Sequence, residues 1–193
     1  MPRQDAPKDC LVWLDMEMTG LEPDDCVPLQ VAVVITGPQL EELDALEVTI
    51  WQPSASLANM SPFVRQMHTD NGLLDEVRSS SQSIDDAQKK MMEILCKWCE
   101  YRQGVLAGNS IHADRRFLVK YFPVVDGYLH YRMVDVSSIK ELTRRWYPND
   151  TSFVKTEGKH TALSDIRESI AELRHYKEHV FVMPQKAAAP GQS

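Results

Sequence analysis

Apolar residues fill Leu11 to Leu14 and then alternate with charged ones through Asp15-Met16-Glu17-Met18, stopping at the turn pair Thr19-Gly20. A period of two predicts a strand, placed at residues 11–15, whose pleat carries Asp15 and Glu17 in the same direction. Residues 27–36 (VPLQVAVVIT), rich in β-branched side chains and bounded by Gly37-Pro38, predict a second strand, and residues 46–51, ended by Pro53, a third. Ser61-Pro62 supplies an N-cap and a first-turn proline for a short helix through Met67, and another short helix follows over residues 72–78.

Ala87, Met91, Ile94, Leu95 and Trp98 then recur at helical intervals, so residues 84–101 read as one long amphipathic helix. The short apolar strand 105–107 runs into Gly108-Asn109-Ser110, and a helix over 114–121 stops before Pro123. A last strand is expected near 133–136. Ile139, Leu142, Thr143 and Trp146 share one helical face ending before Pro148, and residues 147–159 form a loop. Ile166, Ile170, Leu173 and Val180 give the final helix its buried stripe. Three strands followed by alternating helices and strands predict an α/β fold, a mixed β-sheet flanked by helices. Residues 1–9 are expected to be a flexible N-terminus and residues 183–193 (MPQKAAAPGQS), which lack a core face, a disordered tail.

Composition narrows this picture. The chain has 193 residues, 43% of them hydrophobic, enough for one well-buried domain over residues 10–182 and too few for two. No apolar run reaches the roughly 20 residues of a membrane span, and residues 1–8 carry no hydrophobic signal core, so an intracellular protein, cytoplasmic or mitochondrial, with no membrane partner is expected. Cys96 and Cys99 have C-x-x-C spacing, but they fall within the predicted helix rather than on a turn. Both read as ordinary thiols, as do Cys10 and Cys26, and no disulfide is expected. The net charge of -7 opposes a long nucleic-acid duplex as partner, because such binding uses a basic face. A short oligonucleotide gripped through metal ions and one or two arginines needs no such face.

Candidate chemistry begins at Asp15 and Glu17. Two carboxylates on adjacent pleats repel, and a divalent cation removes the repulsion; alone, the pair also fits a solvated strand end. Asp114 follows the small-residue turn in GNSIHADRRFL, where it also suits the positive end of a helix. His160 and Asp165 form H-x4-D ahead of the last helix, in KHTALSDIRESIAEL.

In this order, Asp15, Glu17, Asp114, His160 and Asp165 resemble the DEDDh exonuclease pattern of the ribonuclease H-like fold. WLDMEMTGL, GNSIxxDRRFL, HYRxxDVSSIKELxRRW and HxAxxDIRESIAEL resemble the oligoribonuclease (small-fragment nuclease) family in particular, over residues 11 to about 180. The resemblance implies the exonuclease variant of that fold, with two divalent metal ions, Mg2+ or Mn2+, held by Asp15, Glu17, Asp114 and Asp165. His160 is then the general base, its ordinary pKa near about 6.5 suiting proton transfer at neutral pH. A sister class uses tyrosine in that role, which makes Tyr131 a rival base.

The resemblance also implies a homodimer in which Tyr131 and Arg132 reach the partner's active site. Arg132, Ser110 and Ser137 then surround the 5′ phosphate of a very short single-stranded RNA, and Leu21 acts as a wedge against a base. Two positions depart from the family. Phe63 stands where bacterial relatives have tryptophan, which leaves a smaller stacking face, and Gln30 replaces a glutamate in the second strand. The activity implied is 3′-to-5′ hydrolysis of short oligoribonucleotides, dinucleotides in particular, to 5′ mononucleotides. The alternative of longer RNA or DNA substrates is disfavoured by the HYRxxDVSS segment and the acidic charge.

Overall fold

Alternation along the first strand divides the molecule into two layers. The computed structural model describes residues 7–147, 151–154 and 161–181. In it β1 (Leu11–Met18) is the centre of a five-stranded sheet. β2 (Pro28–Thr36) and β3 (Glu42–Thr49) extend it on one side by antiparallel pairing. Four helices follow in sequence: α1 (Ser54–Ala58), α2 (Pro62–Asp70), α3 (Leu73–Ser79) and α4 (Ile84–Trp98). β4 (Val105–Gly108) then lies parallel to β1 on its other side, and after α5 (His112–Tyr121) and α6 (Pro123–Tyr128) comes β5 (Met133–Asp135), parallel to β4. The strand order is β3-β2-β1-β4-β5, and α7 (Val136–Trp146) and α8 (Ala162–His179) complete the fold.

Val12, Leu14 and Met16 enter one core with Met91 and Leu95 of α4 and Phe117 and Leu118 of α5. Trp13 points the other way, into a second core with Ala32, Val34 and Ile166, Ile170 and Leu173 of α8. Each fully buried aliphatic side chain contributes about 1.5–3 kcal/mol of transfer free energy, so the two cores fix which way the pleat faces. The fully buried Trp13 also donates its indole N–H to Thr36 Oγ1 at 2.9 Å, which leaves no unpaired polar atom on its ring.

Several boundaries differ from the sequence expectations: β1 runs three residues further, to Met18, and α5 starts two residues earlier, at His112. β3 starts at Glu42 because its main chain pairs with β2 along a polar edge where side chains of either kind are tolerated; hydrophobicity marks only its far half. Ile50 has left the ladder, although its N–H still donates to Leu29 O at 2.8 Å. α5 stops at Tyr121, before Pro123, as expected, but Pro123 is also the first residue of α6, an added helix, with Phe122 between the two at φ -132°. The short α1 after Pro53 is absent from the sequence expectations, its five residues being too few to show a helical period.

A further difference concerns the C-x-x-C pair. α4 ends at Trp98, so Cys96 lies in the helix and Cys99 just past its end, in extended backbone. All four thiols are free, and burial first, then the neighbouring Cys10, pushes the Cys99 thiol up to about 12. Cys99 is therefore not poised for chemistry.

The predicted tail at 183–193 and most of the N-terminal segment at 1–9 lie outside the described residues. Among the described residues, no helix is long and apolar enough to cross a membrane.

Candidate active site

Asp15 and Glu17 share the face of β1 occupied by Trp13, the face on which α8 packs. The start of α8 is pinned to that face from both the helix and the sheet. Within the helix, Thr161 Oγ1 accepts from Ser164 N–H at 3.2 Å, while Ser164 Oγ accepts from Thr161 N–H at 3.0 Å, forming a reciprocal cap. From the sheet, Glu47 Oε1 accepts from Leu163 N–H at 3.1 Å and Gln30 Oε1 faces Ala162 N–H at 3.4 Å. The helix N–H groups that lack partners in their own turn are thereby satisfied, and Asp165 is delivered in the first turn.

The result is a cluster in which ligand oxygens of Asp15, Glu17 and Asp165 all lie within 4.8 Å of one another, half-buried. Three carboxylates at that spacing repel strongly, and an all-oxygen donor set of this kind suits a hard divalent cation. Asp114 comes from the opposite side, in the first turn of α5, and is not one of those three. Only 5% exposed, it is joined to the strand by accepting the N–H of Met16, between the two β1 acids, at 3.1 Å. Burial pushes its carboxyl up to about 7; the Glu17 and Asp135 charges add to this, and main-chain N–H groups oppose it. A buried acid so reluctant to ionise gains most from a cation nearby.

Gln30 faces Glu17 across the β1–β2 pair. Its amide donates to Thr49 Oγ1 at 3.0 Å while its carbonyl faces the helix start, so a glutamine here offers an acceptor to α8 without adding a fourth charge to that face. Sequence reasoning missed His68 of α2, which is fully buried behind Glu17. Its Nε2 donates to Met18 O at 2.9 Å, which turns Nδ1, lacking any hydrogen bond, toward Glu17 Oε2 at 3.8 Å. Burial holds its pKa below the usual imidazole value. Nothing in PFVRQMHTD distinguishes this histidine from the exposed polar residues beside it. His160 lies outside the described residues.

The serines expected near a phosphate do meet. Ser110 Oγ and Ser137 Oγ are 3.2 Å apart, and Ser110 N–H is shared between Asp135 Oδ1 at 3.0 Å and Ser137 Oγ at 2.9 Å. Asp135 also caps α7 by accepting from Ser137 N–H at 2.9 Å. These bonds hold Ser110 at φ 50°, a left-handed conformation unusual for a residue with a side chain. The preceding Gly108 comes so close to β1 that an added Cβ would lie 3.0 Å from the Leu14 carbonyl oxygen.

Tyr131 and Arg132 sit at the approach to β5. Tyr131 is 66% exposed, its ring stacked on His130 at 4.5 Å between centroids, with the Arg132 guanidinium 5.3 Å from the ring centre. Arg115 fastens the segment, donating to Asp126 Oδ1 and to Tyr131 O, both at 3.0 Å. Leu21, in the β1–β2 connection, and Phe63, on α2, expose 70% and 77% of their surface, much for large apolar side chains.

An exonuclease family model, RNase_T, matches residues 12–173. The oligoribonuclease of Azoarcus sp. strain BH72 is 45% identical over 170 residues, 88% of this chain and 93% of that protein. The oligoribonuclease of Neisseria meningitidis serogroup A is 43% identical over 183 residues, 94% of this chain and 98% of that one. Among solved structures, E. coli exonuclease I in complex with an oligonucleotide superposes with a TM-score of 0.71 at 13% identity, over 90% of this chain and 41% of that one. Exonuclease I of Methylocaldum szegediense gives 0.69 at 16% identity, over 89% and 41%. This chain spans about two fifths of the length of those enzymes, and the likeness to them is one of fold, the ribonuclease H-like fold. With a family match across most of the chain and more than 40% identity to relatives over nearly their whole length, the chain belongs to the oligoribonuclease family.

Proposed function

We propose that the protein is a 3′-to-5′ exoribonuclease that hydrolyses short oligoribonucleotides, dinucleotides in particular, to 5′ mononucleotides. The observation that carries this reading is the convergence of Asp15, Glu17 and Asp165 oxygens within 4.8 Å of one another, with Asp114 buried beside the same strand. In this reading the four acids hold two divalent ions, Mg2+ or Mn2+, which their hard oxygen donors suit better than a thiophilic metal. When bound, such ions acidify a water and stabilise a departing 3′ oxygen.

The chain's own groups supply the rest. His160, five residues ahead of Asp165, takes the proton of the attacking water. Leu21 and Phe63 offer apolar faces to the bases, while Ser110 and Ser137 line the seat of the 5′ phosphate. Arg132, supplied by a second copy, gives that phosphate its counter-charge, with Tyr131 packing beside the substrate. The exposure of Tyr131, and of Leu142 and Trp146 on α7, supports a homodimer. A closed 5′ end accounts for short substrates, and few phosphates accord with a net charge of -7. The four free thiols accord with a reducing compartment, cytoplasmic or mitochondrial.

The test uses 5′-labelled RNA of two, seven and twenty nucleotides, with Mg2+ or EDTA, beside an Asp165→Ala protein. Metal-dependent cleavage of the dinucleotide that the substitution abolishes is the expected result. Equal or faster cleavage of the twenty-mer refutes the closed 5′ end, and no cleavage of any substrate refutes the enzyme reading.

A further inference from the structure

Glu172 of α8 is a carboxylate with no solvent exposure, and the acid cluster does not use it. Its oxygens accept from Tyr176 OH at 2.9 Å and Asn109 Nδ2 at 3.1 Å, and Lys140 Nζ of α7 lies 3.3 Å away. Asn109 is the residue between Gly108 and Ser110. Its amide nitrogen donates to Ser169 Oγ at 2.8 Å as well as to Glu172, while its oxygen accepts from Ser137 Oγ–H at 3.1 Å. Ser169 Oγ in turn donates to the main-chain carbonyl of Asp165 at 2.9 Å.

We propose that Asn109 and Glu172 are positioning residues which fix the separation between the phosphate serines and the ligand-bearing helix, and so set the preference for very short substrates. This rests on the functional reading above, in which Ser110 and Ser137 seat the 5′ phosphate and Asp165 binds metal. The polarity of the chain of bonds is what makes Asn109 specific. The Glu172 oxygen that faces Asn109 accepts from it, so the Asn109 amide presents its nitrogen to α8 and its oxygen to Ser137. Ser137 then commits its hydroxyl hydrogen to Asn109 and its lone pairs to Ser110 N–H. That leaves the Ser110 hydroxyl hydrogen as the one free to turn from Ser137 to a phosphate oxygen.

One amide thus ties the phosphate seat to the turn of α8 just beyond Asp165. A dinucleotide must satisfy both ends at once, so it feels any change in their separation. A longer strand that does not place its 5′ end in the seat does not.

The experiment measures kcat and KM for a 5′-phosphorylated ribodinucleotide and a heptaribonucleotide, using the wild type, Glu172→Gln, Asn109→Asp and the double variant. The wild type prefers the dinucleotide. Asn109→Asp, which sets a carboxylate against Glu172, lowers dinucleotide kcat/KM by about thirtyfold, mainly through KM, and heptanucleotide kcat/KM by less than about threefold. Glu172→Gln alone lowers the dinucleotide value by about tenfold. In the double variant the amide introduced on α8 donates to the carboxylate introduced beside Ser110, which again accepts from Ser137, and the dinucleotide value returns to within about threefold of wild type. Should Asn109→Asp not fold, the near-isosteric Glu172→Gln carries the test alone, with a melting curve to establish its fold. Retention of the wild-type substrate ratio, an equal fall for both substrates, or no recovery in a folded double variant overturns the proposal. A wild type with no dinucleotide preference overturns the functional reading instead.

Discussion

Replacing Asp114 by asparagine should stabilise the metal-free protein at alkaline pH while abolishing its activity. The carboxyl is 5% exposed, and burial lifts its pKa from 3.8 to about 7. At about 1.4 kcal/mol per unit, ionising it in the folded chain costs roughly 4 kcal/mol once the pH exceeds 7. The sign follows from the proton being held more tightly in the folded state: stability is greatest below the unfolded value of 3.8 and is lost as pH rises toward about 7. At pH 5 the loss is under about 2 kcal/mol, so roughly 2–3 kcal/mol more disappears between pH 5 and 8.

Asparagine keeps an oxygen for Met16 N–H and removes the charge; its buried NH2 group costs about 1–3 kcal/mol if it finds no acceptor. The net gain at pH 8 is therefore about 1–3 kcal/mol, a rise in Tm of about 2–12 °C for a chain of this size, shrinking toward zero or reversing at pH 5. Thermal melts in EDTA at the two pH values measure it, and saturating Mg2+ should reverse the order by stabilising the wild type more. An Asp114→Asn protein that melts at or below wild type at pH 8 without metal, or a gap between the two proteins that does not narrow at pH 5, refutes this role for the buried carboxyl.

Two further outcomes are expected. His160→Ala should bind Mn2+ with wild-type affinity, measured by calorimetry, yet turn over about 100- to 10,000-fold more slowly, and normal turnover would assign the base elsewhere. Mixing inactive Asp165→Ala with inactive Arg132→Ala protein should restore activity approaching about a quarter of wild type after subunit exchange, since one site of each mixed dimer is then complete. Continued inactivity in proven mixed dimers would confine Arg132 to its own subunit.

How much of the fold and site is legible in the sequence depends on whether the information is local. Asp15 and Glu17 can be read because a strand's period of two needs only neighbours, and Asp165 because a capped helix start is written in HTALSD. The polar half of β3 escapes notice because pairing with β2 creates it, and α6 because Pro123 is compatible with either a stop or a start. Glu172 reads as an ordinary surface acid in ESIAEL; its burial depends on Asn109 and Lys140, far away in sequence. His68 is invisible for the same reason, its partner Met18 lying fifty residues away. The ribonuclease H-like architecture came from resemblance, and its sheet order bears that out.

The pleat of β1 has a consequence for how the chain can go wrong. A slip of one residue against β2 would swap the two faces, driving Asp15 and Glu17 among Val31, Val33 and Met91 and turning Leu14 and Met16 toward the start of α8. Each stranded carboxylate would cost several kcal/mol, and the pair would consume most of the roughly 5–15 kcal/mol that holds a domain together. The acids that gather at the cluster therefore also act as an alignment key for the sheet. A molecule of this protein that persists in folded form already has its ligands on the correct side, so assembly of the site needs no separate check.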